Sequence, residues 1–186
     1  MVKVYQPIVI DNFQQISEKL YQYVVHHTDI LTKKLPWNQL VKDDVLRAVP
    51  ELQDELDATI PLEIEMIVIF YTPPKFAGGV HVDIGDFEYR FLMPVYNCAG
   101  SYTKFFDLNG NDVVMKYSNE KEKIDPYYAI EEKNPLIEIA SVETINPMLI
   151  RVKTPHGIYN NPLSDEPRLT CTIAFHNNSY LKHFLK

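Results

Sequence analysis

In the stretch GGVHVDIGDFEYRFLMPV (residues 78–95), His81 and Asp83 stand two positions apart on what the pattern predicts to be a β-strand. Side chains at i and i+2 of a strand leave from the same face, so this imidazole and carboxylate project side by side. Such a pair offers two metal ligands, although an incidental polar residue after the Gly78–Gly79 turn gives the same letters. His156, in KTPHGIYNN at the end of a later predicted strand, offers a third donor. Two histidines and one carboxylate form the facial set that holds Fe(II) on one side and leaves the other positions open. The same donors also occur in catalytic zinc sites. His26, His27, His176 and His183 have no comparable context and read as surface or packing residues.

Arg168 and Thr170 repeat the i, i+2 spacing in PRLTCTIAF and are expected to share the interior face of their strand. A buried guanidinium requires an anion, because an unpaired interior charge is expensive. Its planar fork matches a carboxylate, and a threonine hydroxyl adds a further hydrogen bond. A diacid cosubstrate meets that requirement, one end chelating the metal and the far carboxylate resting on Arg168. The competing reading is a rim arginine paired with Asp165 or Glu166.

The elements that must position these groups fall into two textures. Residues 1–60 read as mostly helical support. Phe13, Ile16, Leu20 and Val24 recur at three- and four-residue steps after an Asp11/Gln14 capping-box pattern, and DDVLRAVPELQDELDA is broken at Pro50, which suits a first helical residue. Residues 61–186 read as short strands at intervals of about ten residues, punctuated by Gly, Pro and Asn, the pattern of an antiparallel sandwich or barrel. Asn109–Gly110 is a hairpin signal. The charged segment at about 118–135 reads as an insertion, either a solvated surface loop or a lid.

The 186 residues predict a single domain. A formal net charge of −7 without a basic cluster argues against a nucleic-acid partner. No apolar run reaches the roughly 18 residues of a membrane span, and the start of the chain lacks the features of a signal peptide, so a cytoplasmic protein is expected. Cys98 and Cys171 have no CxxC spacing and read as small hydrophobes.

Taken together, His81-x-Asp83, His156 and Arg168-x-Thr170 resemble the Fe(II)/2-oxoglutarate-dependent oxygenase superfamily, with residues 62–176 carrying the likeness. The phrasing is similar to short prolyl-hydroxylase-like and aspartyl/asparaginyl-hydroxylase-like members. The resemblance implies a mainly β, double-stranded β-helix (jelly-roll) core with N-terminal supporting helices. It also implies a dioxygenase that uses O2, Fe(II) on His81, Asp83 and His156, and 2-oxoglutarate on Arg168 and Thr170, with ascorbate supporting turnover. The implied reaction is hydroxylation of a small molecule, an amino acid or a peptidyl side chain. Arg90 stands where the second subgroup carries a cosubstrate arginine. The alternative is an exterior residue paired with Asp86 or Glu88. That subgroup often lacks the carboxylate ligand, whereas Asp83 is present here. Tyr71 reads either as a cosubstrate hydrogen-bond donor or as core. Two other classes fit the letters: a jelly-roll protein that binds metal or ligand without turnover, and a cupin-like metalloenzyme that does not use 2-oxoglutarate.

Overall fold

After a short edge strand β1 (Tyr5–Pro7), the helical region forms as α1 (Phe13–His27), α2 (Ile30–Lys33), α3 (Lys42–Ala48) and α4 (Pro50–Thr59). The computed structural model describes residues 3–34, 36–83, 85–119 and 124–184. Helix α1 buries Ile16, Leu20 and Val24, the stripe that its periodicity requires. Ser17 on the same stripe donates a 2.6 Å hydrogen bond to the Pro94 carbonyl and ties the helix to the sheet beneath. Pro50 opens α4, where its missing N–H leaves no helical bond unmade. The capping box is not formed. The helix starts at Phe13 behind Asn12, which has a left-handed φ of 56° and no side-chain cap, and the Asp11 N–H donates instead to Glu55 Oε2 at 3.2 Å. A strand, β2 (Trp37–Leu40), also interrupts the stretch expected to be helical, because it completes the open edge of a sheet.

The remaining strands are β3 (Ile64–Thr72), β4 (Ala77–Val82), β5 (Tyr89–Tyr96), β6 (Tyr102–Asp107), β7 (Asp112–Asn119), β8 (Ile124–Glu131), β9 (Ile137–Glu143), β10 (Met148–Arg151), β11 (His156–Tyr159) and β12 (Arg168–Phe175). They build two six-stranded antiparallel sheets, β1-β10-β5-β12-β3-β2 and β7-β8-β4-β11-β6-β9. The fold is the expected jelly roll, with the helices packed on the first sheet. No helix among the described residues is long and apolar enough to cross a membrane.

Strand β12 is buried along its whole length because helices cover one of its faces and the second sheet the other. Leu169, Cys171, Ile173 and Phe175 enter the helix-side core, whereas Arg168, Thr170 and Thr172 line a cavity between the sheets. Strand β5 divides in the same way: Phe91 and Met93 face the helices, Arg90 and Leu92 the cavity. A smaller core of Leu92, Phe105, Met148, Ile150 and Val152 packs the sheets together beside that cavity.

Two local signals have outcomes set by the whole sheet. Segment 118–135, expected as an insertion, is largely strand: β7 and β8 pair as an antiparallel ribbon, and β8 joins β4 through Ala129 opposite His81. Positions 120–123 lie outside the described residues. Asn109 and Gly110 do turn, at φ 48° and 79°. The turn does not connect partners, since β6 pairs with β11 and β9 while β7 pairs with β8. A turn dictates where the chain reverses. Which strand it then pairs with depends on the area buried.

Candidate active site

His81 lies on β4, and Asp83 follows that strand with its N–H donating to the Val152 carbonyl at 3.1 Å. The spacing works as the strand pattern requires, and His81 Nε2 stands 3.3 Å from Asp83 Oδ1. The sheet register brings in the third group. Strand β11 runs antiparallel to β4 with His156 directly opposite His81, and the two rings are 4.5 Å apart between centroids. His156 Nε2 reaches to within 3.7 Å of the same Asp83 oxygen.

One donor atom from each of the three residues fits within a 4.8 Å span. A cation about 2.1 Å from each of three cis ligands sets them roughly 3 Å apart, so this cluster is near the geometry of a single ion. Each imidazole turns its Nδ1 to a backbone carbonyl, His81 to Gly79 at 2.7 Å and His156 to Thr154 at 3.0 Å. That arrangement places the lone pair of the neutral ring on Nε2, facing Asp83.

Burial and the neighbouring His81 push the His156 pKa down to about 4, so this ring is neutral. Burial also opposes a charge on His81, but the hydrogen bond and charge of Asp83 outweigh it and hold that pKa above the ordinary imidazole value. Burial favours the protonated form of Asp83, yet His81, His156 and Arg90 together hold its carboxyl below the usual range. The cluster therefore contains an ionised carboxylate between two rings of different basicity.

Glycine makes the close approach of β11 and β4 feasible. A Cβ built on Gly157 would lie 3.0 Å from the Gly78 carbonyl oxygen and 3.1 Å from Val80 Cγ2. Gly157→Ala is expected to push the strands apart and cost about 1–3 kcal/mol in stability, read by chemical denaturation. An unchanged midpoint would show that β4 gives way freely.

Behind the cluster, Arg168 is 1% exposed. Among the described residues its Nε and Nη1 have no hydrogen-bond partner, nor has the hydroxyl of Thr172 four positions along. Burial lowers the Arg168 pKa and the Cys98 thiol beside it offsets part of that effect, but a guanidinium stays charged. The rim reading of Arg168 does not hold: Asp165 pairs with Lys75 at 2.6 Å, and Arg168 points inward. Arg168, Thr170 and Thr172 line one cavity of about 90 Å³ together with His81, Asp83 and His156. Unpaired buried donors on Arg168 fit the anionic end of a ligand that would reach toward a cation held at the cluster.

Arg90 lines the same cavity but is not beside Arg168. Its Nε forms an ion pair with Asp83 Oδ2 at 3.1 Å, at an angle short of a hydrogen bond. Neither Asp86 nor Glu88 takes it, since Glu88 is held by Arg151 at 2.8 Å. Tyr71 stands opposite Leu169 in the helix-side core and does not line this cavity, although it borders a neighbouring one that shares Phe70, His81 and Ile158. Phe70, its neighbour, takes the interior place.

Two contributors were missed by the sequence reading. Thr172 extends the Arg168-x-Thr170 stripe by one more i+2 step, a signal present in the strand itself. The Lys153 ammonium donates to the Asp83 carbonyl at 2.8 Å and to the Gly85 carbonyl at 2.5 Å, fixing the backbone under the carboxylate. No sequence signal identifies that lysine. Burial pushes the Cys171 thiol up to about 12, which agrees with a packing role.

No protein-family model matches the chain, and no curated protein matches it in sequence. Solved structures do share its fold. The crystal structure of the non-heme alpha ketoglutarate dependent epimerase SnoN from nogalamycin biosynthesis matches at 11% identity and a TM-score of 0.52, over 91% of this chain and 76% of that one. AviO1 from Streptomyces viridochromogenes Tue57 matches at 11% identity and TM-score 0.50, over 92% and 89%. EvdMO1 matches at 13% identity and TM-score 0.51, over 92% of this chain and 47% of that longer one. At these identities the likeness is one of fold: the chain shares the two-sheet jelly roll of these structures.

Proposed function

We propose that this chain is a non-haem Fe(II)- and 2-oxoglutarate-dependent oxygenase that oxidises a C–H bond of a small molecule or peptidyl side chain. The observation that carries the reading is the fully buried Arg168, whose Nε and Nη1 have no acceptor among the described residues, facing into the cavity that the His81–Asp83–His156 cluster also lines. A catalytic zinc site or a cupin-like metalloenzyme needs the cluster but has no need of that arginine.

When bound, Fe(II) and 2-oxoglutarate would supply the oxidising chemistry with O2, the cosubstrate ending as succinate and carbon dioxide and ascorbate supporting turnover. The chain's own residues do the placing. His81, Asp83 and His156 would hold the metal, three donors that leave further positions for other ligands. Arg168 would receive the distal carboxylate of the cosubstrate, with Thr170 and Thr172 lining the cavity beside it. Phe70, Leu92, Ile150, Val152 and Ile158 make much of the remaining wall apolar, which limits water and strengthens each charged contact.

The test is succinate formation from 2-oxoglutarate with Fe(II), O2 and ascorbate, which proceeds uncoupled without the prime substrate. Turnover by the wild-type chain is expected. Tight Fe(II) binding without succinate would leave a binding protein.

The protonation pattern adds a pH prediction. Metal uptake needs the lone pair of His81, whose pKa is raised, whereas His156 at about 4 is already free of its proton. Mn(II) affinity is therefore expected to fall about tenfold per pH unit once the pH drops below the raised His81 pKa, with one proton released per ion. Calorimetry in buffers of different ionisation enthalpy measures both. A pH-independent affinity through that window would remove His81 from the ligand set.

A further inference from the structure

Asp83 divides its two oxygens between different partners. Oδ1 faces the histidines, 3.3 Å from His81 Nε2 and 3.7 Å from His156 Nε2. Oδ2 faces the other way, 3.1 Å from Arg90 Nε. We infer that Arg90 is a positioning residue that covers Asp83 Oδ2, commits the carboxylate to a single metal-facing oxygen, and so keeps a coordination position free for a ligand from outside the protein. The inference rests on the metal reading of the cluster.

The physical case starts from carboxylate geometry. A carboxylate with both oxygens free closes on a cation through both, and each such chelation takes up a position that water or cosubstrate would otherwise hold. A guanidinium on Oδ2 withdraws charge from that oxygen and blocks its approach. Arg90 is well placed to do so continuously. It projects from the second position of β5, its side chain is 11% exposed, and its guanidinium carbon lies 5.4 Å from the centroid of the Phe87 ring, which limits its swing. Among the described residues Asp83 is the carboxylate within ion-pair distance of it, since Glu88 is taken by Arg151. The Lys153 contact to the Asp83 carbonyl holds the backbone while Arg90 holds the head. A group that orients a ligating side chain from behind is a general device of metal sites.

This placement has an electrostatic consequence that separates it from mere packing. The Arg90 charge opposes a bound cation, so removing it should tighten metal binding while narrowing access. For Arg90→Met, Mn(II) affinity in the otherwise intact chain is expected to rise by about tenfold or more. The bound ion should carry one fewer inner-sphere water than in the wild type, counted by electron–nuclear double resonance. Arg90→Lys returns the positive charge and is expected to restore the wild-type affinity and water count. A crystal structure of the wild-type chain with Mn(II) tests the same point without a variant, with Asp83 bound through Oδ1 alone as the expected result. Bidentate Asp83 in that structure, or an Arg90→Met variant with unchanged or weaker Mn(II) affinity and an unchanged water count, overturns the role given to Arg90. A wild-type chain that takes up no Mn(II) overturns the metal reading beneath it.

Discussion

His156→Ala loses Mn(II) affinity by at least about a hundredfold and succinate formation falls to background. The size follows from position. Outer-shell partners of metal ligands are worth 10- to 100-fold in affinity, and His156 is a donor itself in the proposed site, facing the shared Asp83 oxygen from 3.7 Å. The fold should survive, because this ring is neutral and its one hydrogen bond is to the Thr154 carbonyl. Replacement therefore strands no charge. The loss must appear in metal titration with the circular dichroism spectrum unchanged, and succinate assays then report the missing site rather than a missing protein. If His156→Ala binds Mn(II) as the wild type does, the three-residue cluster is not the metal centre and the enzyme reading goes with it.

That cluster was legible because its geometry obeys strand rules that act at short range. His81 and Asp83 needed only the two-residue repeat, and Arg168 and Thr170 needed only the same repeat on another strand. His156 could be named from its place at a strand end, but its position opposite His81 is a matter of register across some seventy-five residues of chain, which no local pattern contains. The partner of Arg90 failed for the same reason. Nearby carboxylates at Asp86 and Glu88 were the natural candidates, yet the turn after β4 returns Asp83 to it while Arg151 from β10 takes Glu88.

Tyr71 shows a different limit. Strand β3 is covered on both faces, by helices and by the second sheet, so its residues IVIFYT are apolar on both sides and the alternation that assigns faces is erased. Only pairing with β12 decides that Phe70 joins the cavity and Tyr71 the core. The Asn109–Gly110 turn and the 118–135 segment belong to the same class, since the local chemistry was read correctly for the turn while the partners on either side were set by the sheet.

Arg168→Met separates binding from stability in opposite directions. Without a ligand, Arg168 is a buried charge whose Nε and Nη1 find no acceptor among the described residues, an arrangement that burdens the folded state. Methionine of similar length removes that burden, so the ligand-free variant is expected to be about 1–3 kcal/mol more stable than the wild type, a rise of roughly 2–8 °C in Tm for a chain of this size. With Mn(II) present, the same change removes a bidentate, charge-assisted contact to the distal carboxylate of 2-oxoglutarate. A loss of about 2–4 kcal/mol weakens cosubstrate binding by roughly 30- to 1000-fold. Mn(II) affinity should not fall, because Arg168 supplies no donor to the ion and its charge opposes the cation. The wild type should therefore gain thermal stability from added 2-oxoglutarate while the variant, starting higher, gains nothing. A variant less stable than the wild type would mean that the guanidinium is satisfied inside the protein, and the case for an anionic cosubstrate would lose its main support.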